Sequence, residues 1–134
     1  MKTAVIYWSA TGNTEAMAKA VAEGAGVEPV AVSDFSGSVA DYDALALGCP
    51  AMGDEVLEES EFEPFFASAE SALSGKKVLL FGSYGWGDGQ WMRDWEERIK
   101  AAGAELIGGE GYIVNDAPSD DDVEKLTALG KVLA

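Results

Sequence analysis

Short apolar runs alternate with helix-spaced stretches along the length of this chain, and that alternation constrains the fold more than any other feature. Thr3 to Trp8 is a continuous apolar run through Val5, Ile6, Tyr7 and Trp8, as expected of a strand buried on both faces. At Ser9 it gives way to a polar turn. From Asn13 to Gly24, Ala16, Met17, Ala20 and Val21 mark one face of a helix, with Gly24 and Gly26 positioned to stop it. The unit then recurs. Pro29 to Val32, Ala44 to Gly48 and Lys77 to Ser83 read as strands two to four, and Leu106 to Val114, interrupted by Gly108, Gly109 and Gly111, as a fifth. Glu61 to Leu73 carries Phe62, Phe65, Phe66, Ala69 and Leu73 at helical spacing, with Pro64 tolerated in the first turn. Trp91 to Ala102 reads as another helix, and Ser119 with Asp122 fits a capping box opening a last helix to Ala134. Ser33 to Asp43 is only weakly periodic and reads as a long connection.

Strands and helices in alternation with short connections imply right-handed βαβ units and a parallel sheet covered on both faces, a doubly wound α/β fold. The 134 residues fit one domain spanning the chain, with no internal repeat or linker.

Charge narrows the partners. Nine Lys plus Arg stand against 24 Asp plus Glu, a formal net charge of -15. Such a surface repels phosphate backbones and anionic lipid heads, so nucleic acid and membranes are not expected partners, and basic proteins are. There is no His and a single Cys. The usual zinc sites and the His-activated Ser or Cys nucleophiles are therefore excluded, and no metal site or catalytic residue is expected. No signal peptide and no apolar run near about 18 residues is evident, so a cytoplasmic protein is expected; a monomer is expected as well.

In doubly wound sheets ligands bind beyond the carboxyl ends of the strands. Three loops there are unusual. The first, Ser9-Ala10-Thr11-Gly12-Asn13-Thr14, joins a buried strand directly to a helix. Free amides at a helix start, with hydroxyl and amide side chains, form an anion cage. An ordinary helix cap would account for one such residue but not for the hexapeptide. It lacks the Lys of a nucleotide-triphosphate loop, so a single phosphate monoester is the better ligand. The loop after strand four, Gly82-Ser83-Tyr84-Gly85-Trp86-Gly87-Asp88-Gly89, sets aromatics among four glycines. That composition lets backbone approach a flat ligand and an indole lie over it, and no dinucleotide fingerprint is present. The loop after strand three, Cys49-Pro50-Ala51-Met52-Gly53-Asp54-Glu55, offers a polarizable Met52 for the other ring face, a Gly53 able to change conformation, and Glu55 as acceptor for a ring NH. Cys49 reads as a small buried hydrophobe, and Glu55 six positions on excludes a Cys-x5-Arg phosphatase loop.

With these residues the chain resembles the flavodoxins, specifically the short-chain flavodoxins of anaerobic bacteria, in Ser9 to Thr14, Gly48 to Phe65 and Phe81 to Trp91. The resemblance covers essentially the whole length. It implies a flavodoxin-like three-layer sandwich, a five-stranded parallel sheet in order 2-1-3-4-5, and noncovalent FMN. Ser9, Thr11, Asn13 and Thr14, with the amides of a loop that includes Ala10 and Gly12, would hold the phosphate. Met52, flanked by Pro50 and Ala51, would lie on the inner flavin face and Trp86 on the outer. Glu55 would meet N3 of the ring. The Gly53–Asp54 peptide would turn over on reduction so that the Gly53 carbonyl accepts the N5 hydrogen. Ser83 and Tyr84 lead into Gly85, Gly87, Asp88 and Gly89, whose backbone would cover the pyrimidine end. Three departures stand out: Ala10 where relatives often carry Gly, Pro50 where some carry a hydroxyl, and Trp86 where many use Tyr.

The function this implies is a low-potential one-electron carrier, not an enzyme, cycling FMN between semiquinone and hydroquinone and replacing or paralleling ferredoxin. Its partners would be basic redox proteins such as ferredoxin-type reductases or oxidoreductases. Asp54, Glu55, Glu58, Glu59, Glu61 and Glu63 fall in one ten-residue window beside the expected ring and would disfavour an extra electron there. An FMN-dependent quinone reductase is the alternative, but the chain shows neither a nicotinamide-site insertion nor a basic patch. A signalling receiver domain would need an Asp at the end of strand three, where Gly48 and Cys49 stand.

Overall fold

A computed structural model describes residues 2–134. Its order of elements is β1 (Thr3–Tyr7), α1 (Asn13–Ala25), β2 (Pro29–Ala31), β3 (Ala44–Gly48), α2 (Phe62–Ala69), β4 (Lys77–Tyr84), α3 (Gln90–Ala101), β5 (Glu105–Leu106), β6 (Tyr112–Asn115) and α4 (Asp120–Val132). All pairings are parallel, in the order β2-β1-β3-β4-β5, with β6 also on β4. The expected order 2-1-3-4-5 is therefore present.

Alternation within the strands divides the core in two. Leu45, Leu47, Val78 and Leu80 point to the face covered by α2 and α3, where Phe62, Phe66, Trp91, Trp95 and Ile99 are buried. Ala44, Ala46, Leu79 and Phe81 point to the other face, against Met17, Val21 and Leu126 of α1 and α4. On the first face Trp95 meets Phe62 and Phe66 edge-on, with ring centroids 5.5 and 5.8 Å apart. That geometry suits the aromatic quadrupoles.

Three expectations need correction. The fifth strand is not one run from Leu106 to Val114. Val78 pairs with Leu106 and Phe81 with Tyr112, so the chain between β5 and β6 bulges outward through Gly108 and Gly109, both at positive φ. The Met92 side chain occupies the place where a side chain on Gly111 would go. Gly24 does not stop α1. Gly26 caps it at φ 76, and Gly24 lies inside the helix because the Thr127 carbonyl of α4 occupies its missing Cβ position. The helix expected from Glu61 to Leu73 ends at Ala69 and tightens into a 3-10 turn over Glu70–Ala72, while the Ser33 to Asp43 connection is bounded by 3-10 turns at Val32–Asp34 and Val39–Asp41. The Ser119–Asp122 capping box is formed, with Asp122 N–H donating to Ser119 Oγ at 3.1 Å and Ser119 N–H to Asp122 Oδ2 at 2.9 Å.

The ladder continues past the strand ends. Trp8 N–H donates to the Gly48 carbonyl, Cys49 N–H to Phe81, Ala51 N–H to Ser83 and Asp116 N–H to Tyr84, at 2.9–3.1 Å. The loops after β1, β3, β4 and β6 thereby meet along one edge of the sheet.

Candidate functional site

At that edge lies a cleft of about 230 Å³ lined by Ser9, Ala10, Thr11, Asn13, Thr14, Pro50, Ala51, Met52, Ser83, Tyr84, Gly85 and Asp116. One end is the start of α1. Gly12 turns the chain at φ 97, a value an L side chain would resist, and no side chain caps the helix. Ser9 Oγ accepts from Gly12 N–H at 3.1 Å, but the amides of Asn13, Thr14 and Glu15 meet no acceptor among the described residues. Open amides at the positive end of a thirteen-residue helix suit an anion. Thr14 faces inward: buried, its Oγ1 lies 3.1 Å from Ser83 Oγ and accepts from Ser83 N–H, locking the hexapeptide to β4. Thr11 is exposed, and its hydroxyl has no hydrogen-bond partner among the described residues.

At the mouth of the cleft stand the loops after β3 and β4. Met52 and Val56 exchange hydrogen bonds of 2.9 and 3.0 Å, closing a tight turn in which Gly53 has φ 48 and Glu55 φ 57. Between those bonds, the Gly53 carbonyl and the Asp54 amide have no partner among the described residues. That peptide can rotate without breaking a hydrogen bond. In the loop after β4, Trp86 is 64% exposed between two glycines, a flat apolar surface open to solvent. Glu55 reaches over to this loop, where its Oε1 accepts from the amides of Gly89 at 3.1 Å and Gln90 at 2.9 Å.

The turn is anchored from behind. Glu58, only 6% exposed, accepts from the amides of Ser60 (2.8 Å), Glu61 (2.8 Å) and Phe62 (2.9 Å) and from the Ser60 hydroxyl, and so caps α2. Burial alone would push its carboxyl up, but the hydrogen bonds from Ser60, Phe62 and Glu61 outweigh it and hold the group below the usual carboxylate range. Its own amide donates to Cys49 Sγ at 3.3 Å, and Trp91 Nε1 donates to the Cys49 carbonyl at 3.1 Å. Cys49 is fully buried, and burial pushes its thiol far above the ordinary range, consistent with a packing role.

The acidic window is thinned by one member. Glu63 is gripped by Arg98 through two bonds of 2.7 and 2.8 Å, and Arg98 also holds Glu70 and stacks on Phe66. These carboxylates, Glu63 first, hold the guanidinium above its ordinary value. Asp54, Glu55, Glu58, Glu59 and Glu61 have no cationic partner among the described residues. No described helix is long and apolar enough to cross a membrane.

The cleft gathers eleven of the nineteen expected site residues. Gly12 shapes it from behind through its φ. Gly53, Asp54, Glu55, Trp86, Gly87, Asp88 and Gly89 belong to the two loops at its mouth and do not line it. One lining residue is new: Asp116, just past β6, at φ 61 with its N–H on the Tyr84 carbonyl. Nothing local in the sequence marks it, because the β6 register beside Tyr84 is what brings it to the rim.

Comparison with known proteins follows the same lines. The flavodoxin family profile matches residues 5–129. A flavodoxin of Clostridium beijerinckii is 48% identical over 136 residues, covering 97% of each chain. A flavodoxin of Megasphaera elsdenii is also 48% identical, covering 97% of this chain and 96% of that one. The solution structure of the two-electron reduced M. elsdenii flavodoxin superposes with a TM-score of 0.86 at 43% identity, over 97% of this chain and 98% of that one.

Proposed function

Because this chain belongs to the flavodoxin family, electron carriers whose cofactor is FMN, we propose that the cleft at the carboxyl edge of its sheet is the FMN site. The observation that carries the reading is the uncapped start of α1, where three successive amides have no acceptor among the described residues, in a loop that carries Ser9 and Thr11. FMN supplies an isoalloxazine ring that takes up and releases electrons; the chain supplies binding, orientation and field.

Each part has its task. The amides of Asn13, Thr14 and Glu15, with Ser9, Thr11 and the Asn13 amide, would hold the phosphate, and Ala10 and Gly12 shape their loop. Ser83 ties Thr14 in place from β4. Asp116, an acceptor-only carboxylate at the rim, would receive a hydroxyl of the sugar chain beside the backbone of Tyr84 and Gly85. Pro50 and Ala51 carry Met52 to one ring face and Trp86 covers the other, with Gly85, Gly87, Asp88 and Gly89 along the pyrimidine end. The Gly53 carbonyl, unpartnered beside Asp54, would hold the proton that arrives on the ring nitrogen N5. Glu55 Oε2, which accepts nothing among the described residues, would take the ring N3–H. The remaining carboxylates lower the potential and attract basic redox proteins. On this reading the chain works as a cytoplasmic monomer and turns over no substrate of its own.

Titrating the apoprotein with FMN and with riboflavin tests the site. The wild type should prefer FMN. Thr11→Ala should weaken FMN roughly tenfold, one lost hydrogen bond to a charged group, and leave riboflavin unchanged. Asp116→Gly, which suits the positive φ, should weaken both. Equal affinity of the wild type for the two ligands would overturn the phosphate assignment, and steady NADH oxidation by the FMN-loaded protein would refute the absence of turnover.

A further inference from the structure

The contact between Glu55 and the start of α3 joins two loops separated by 34 residues of sequence. Helix α3 begins after Gly89, at φ 93, which has no side chain to cap it. Its first amides are satisfied instead from the other loop, by Glu55 Oε1 on both Gly89 N–H and Gln90 N–H. A carboxylate at a helix start also gains from the macrodipole. The reach of Glu55 is prepared by its backbone: φ 57 is uncommon for a side-chain-bearing residue, and the reciprocal Met52–Val56 bonds hold it there. A gap in the opposite loop completes the arrangement. A Cβ on Gly87 would stand 2.6 Å from Glu55 Cδ and 2.7 Å from Oε1, so a side chain there would push the carboxylate off the amides, and the φ of 88 favours glycine as well. Gly87 follows Trp86 directly, so the contact tethers the segment that bears the exposed indole.

We propose that Glu55 is a latch which ties the two ring loops together before any cofactor arrives, and that Gly87 is the residue whose missing side chain admits it. The inference rests on the reading of these loops as the two sides of the FMN ring, and it adds a task for Glu55 in the empty protein. Only Oε1 is engaged, so the latch leaves Oε2 for the ring. Loops already tied lose less freedom when the ring enters, so the latch preorganises the cleft. Glu55 and Gly87 are positioning residues in this role, acting through the amides of α3.

Amide hydrogen exchange on the FMN-free protein tests the latch without reference to bound cofactor. In Glu55→Ala, the Gly89 and Gln90 amides should exchange roughly tenfold faster or more, while Leu80 and Phe81 in the centre of β4 keep wild-type rates. Glu55→Gln, which keeps an acceptor of the same reach, should restore part of the protection, and Glu55→Asp, one methylene short, should not. Gly87→Ala should lose the same protection with Glu55 intact, and in the Glu55→Ala background it should accelerate Gly89 and Gln90 no more than Leu80 and Phe81, the even effect left by the backbone strain of alanine at φ 88. Unchanged rates at Gly89 and Gln90 in Glu55→Ala would overturn the latch, as would acceleration of that variant spread evenly over the β4 amides, or a further acceleration confined to Gly89 and Gln90 in the double variant. Titration of the wild type with FMN decides the cofactor reading separately, so either can fail alone.

Discussion

Replacing Glu58 tests the idea that one buried carboxylate holds the Met52–Glu55 turn in place. In Glu58→Ala the Phe62 amide, buried at the start of α2, loses its acceptor at 2.9 Å. A buried unpaired amide costs about 1–3 kcal/mol. That loss is the removal of the helix cap itself, whereas the amides of exposed Ser60 and Glu61 can turn to water. The expected loss is about 1–3 kcal/mol of apoprotein stability at pH 7, read from urea denaturation as a lower midpoint at unchanged slope. Glu58→Gln keeps one oxygen but sets an NH2 where Ser60 donates, and should cost about 1 kcal/mol as a charged acceptor becomes neutral. The pH dependence follows from the sign of the shift. The folded pKa lies below its ordinary value, so the contribution is complete above the unfolded value of about 4.3 and is lost as pH falls through the folded one. Wild type and Glu58→Gln should therefore draw together as pH falls from the unfolded value of about 4.3 through the lower folded one, since protonated Glu58 resembles Gln. A loss under about 1 kcal/mol in the Ala variant, against the cost of an unpaired buried amide, or a wild-type-to-Gln gap that stays constant into acid, would refute the reasoning.

Two further perturbations probe the packing and the field. Gly130→Ala should destabilise by about 1–3 kcal/mol, because the new methyl would overlap the Val21 carbonyl of α1, and backbone on a packed helix has little room to yield; a midpoint shift in urea reads it. Glu59→Gln in the FMN-loaded protein should raise the second one-electron potential by tens of millivolts. A charge about 10 Å away at an effective dielectric near 20 contributes at most about 1.7 kcal/mol, or about 70 mV for one electron. The rise should shrink in high salt, and potentiometry showing no change at low salt would remove Glu59 from the field.

What could be read from the sequence was local. Apolar runs such as Val5 to Trp8 and Val78 to Phe81 announce buried strands because burial on both faces demands continuous apolar residues. The Ser9–Thr14 hexapeptide reads as an anion cage because the open amides behind that reading are its own and those of the helix it opens. What the tertiary structure decided depended on groups distant in sequence. The split of β5 from β6 turns on how the chain finds register against β4 while α3 lays Met92 into the gap at Gly111. Gly24 looked like a helix stop, and only the approach of α4 makes it an interior residue. Asp116 enters the cleft through the pairing of β6 with Tyr84. Glu55 looked like a ligand acceptor alone, and the fold adds the amides of α3, because hydrogen bonds to a helix start are set by where that start lies in space.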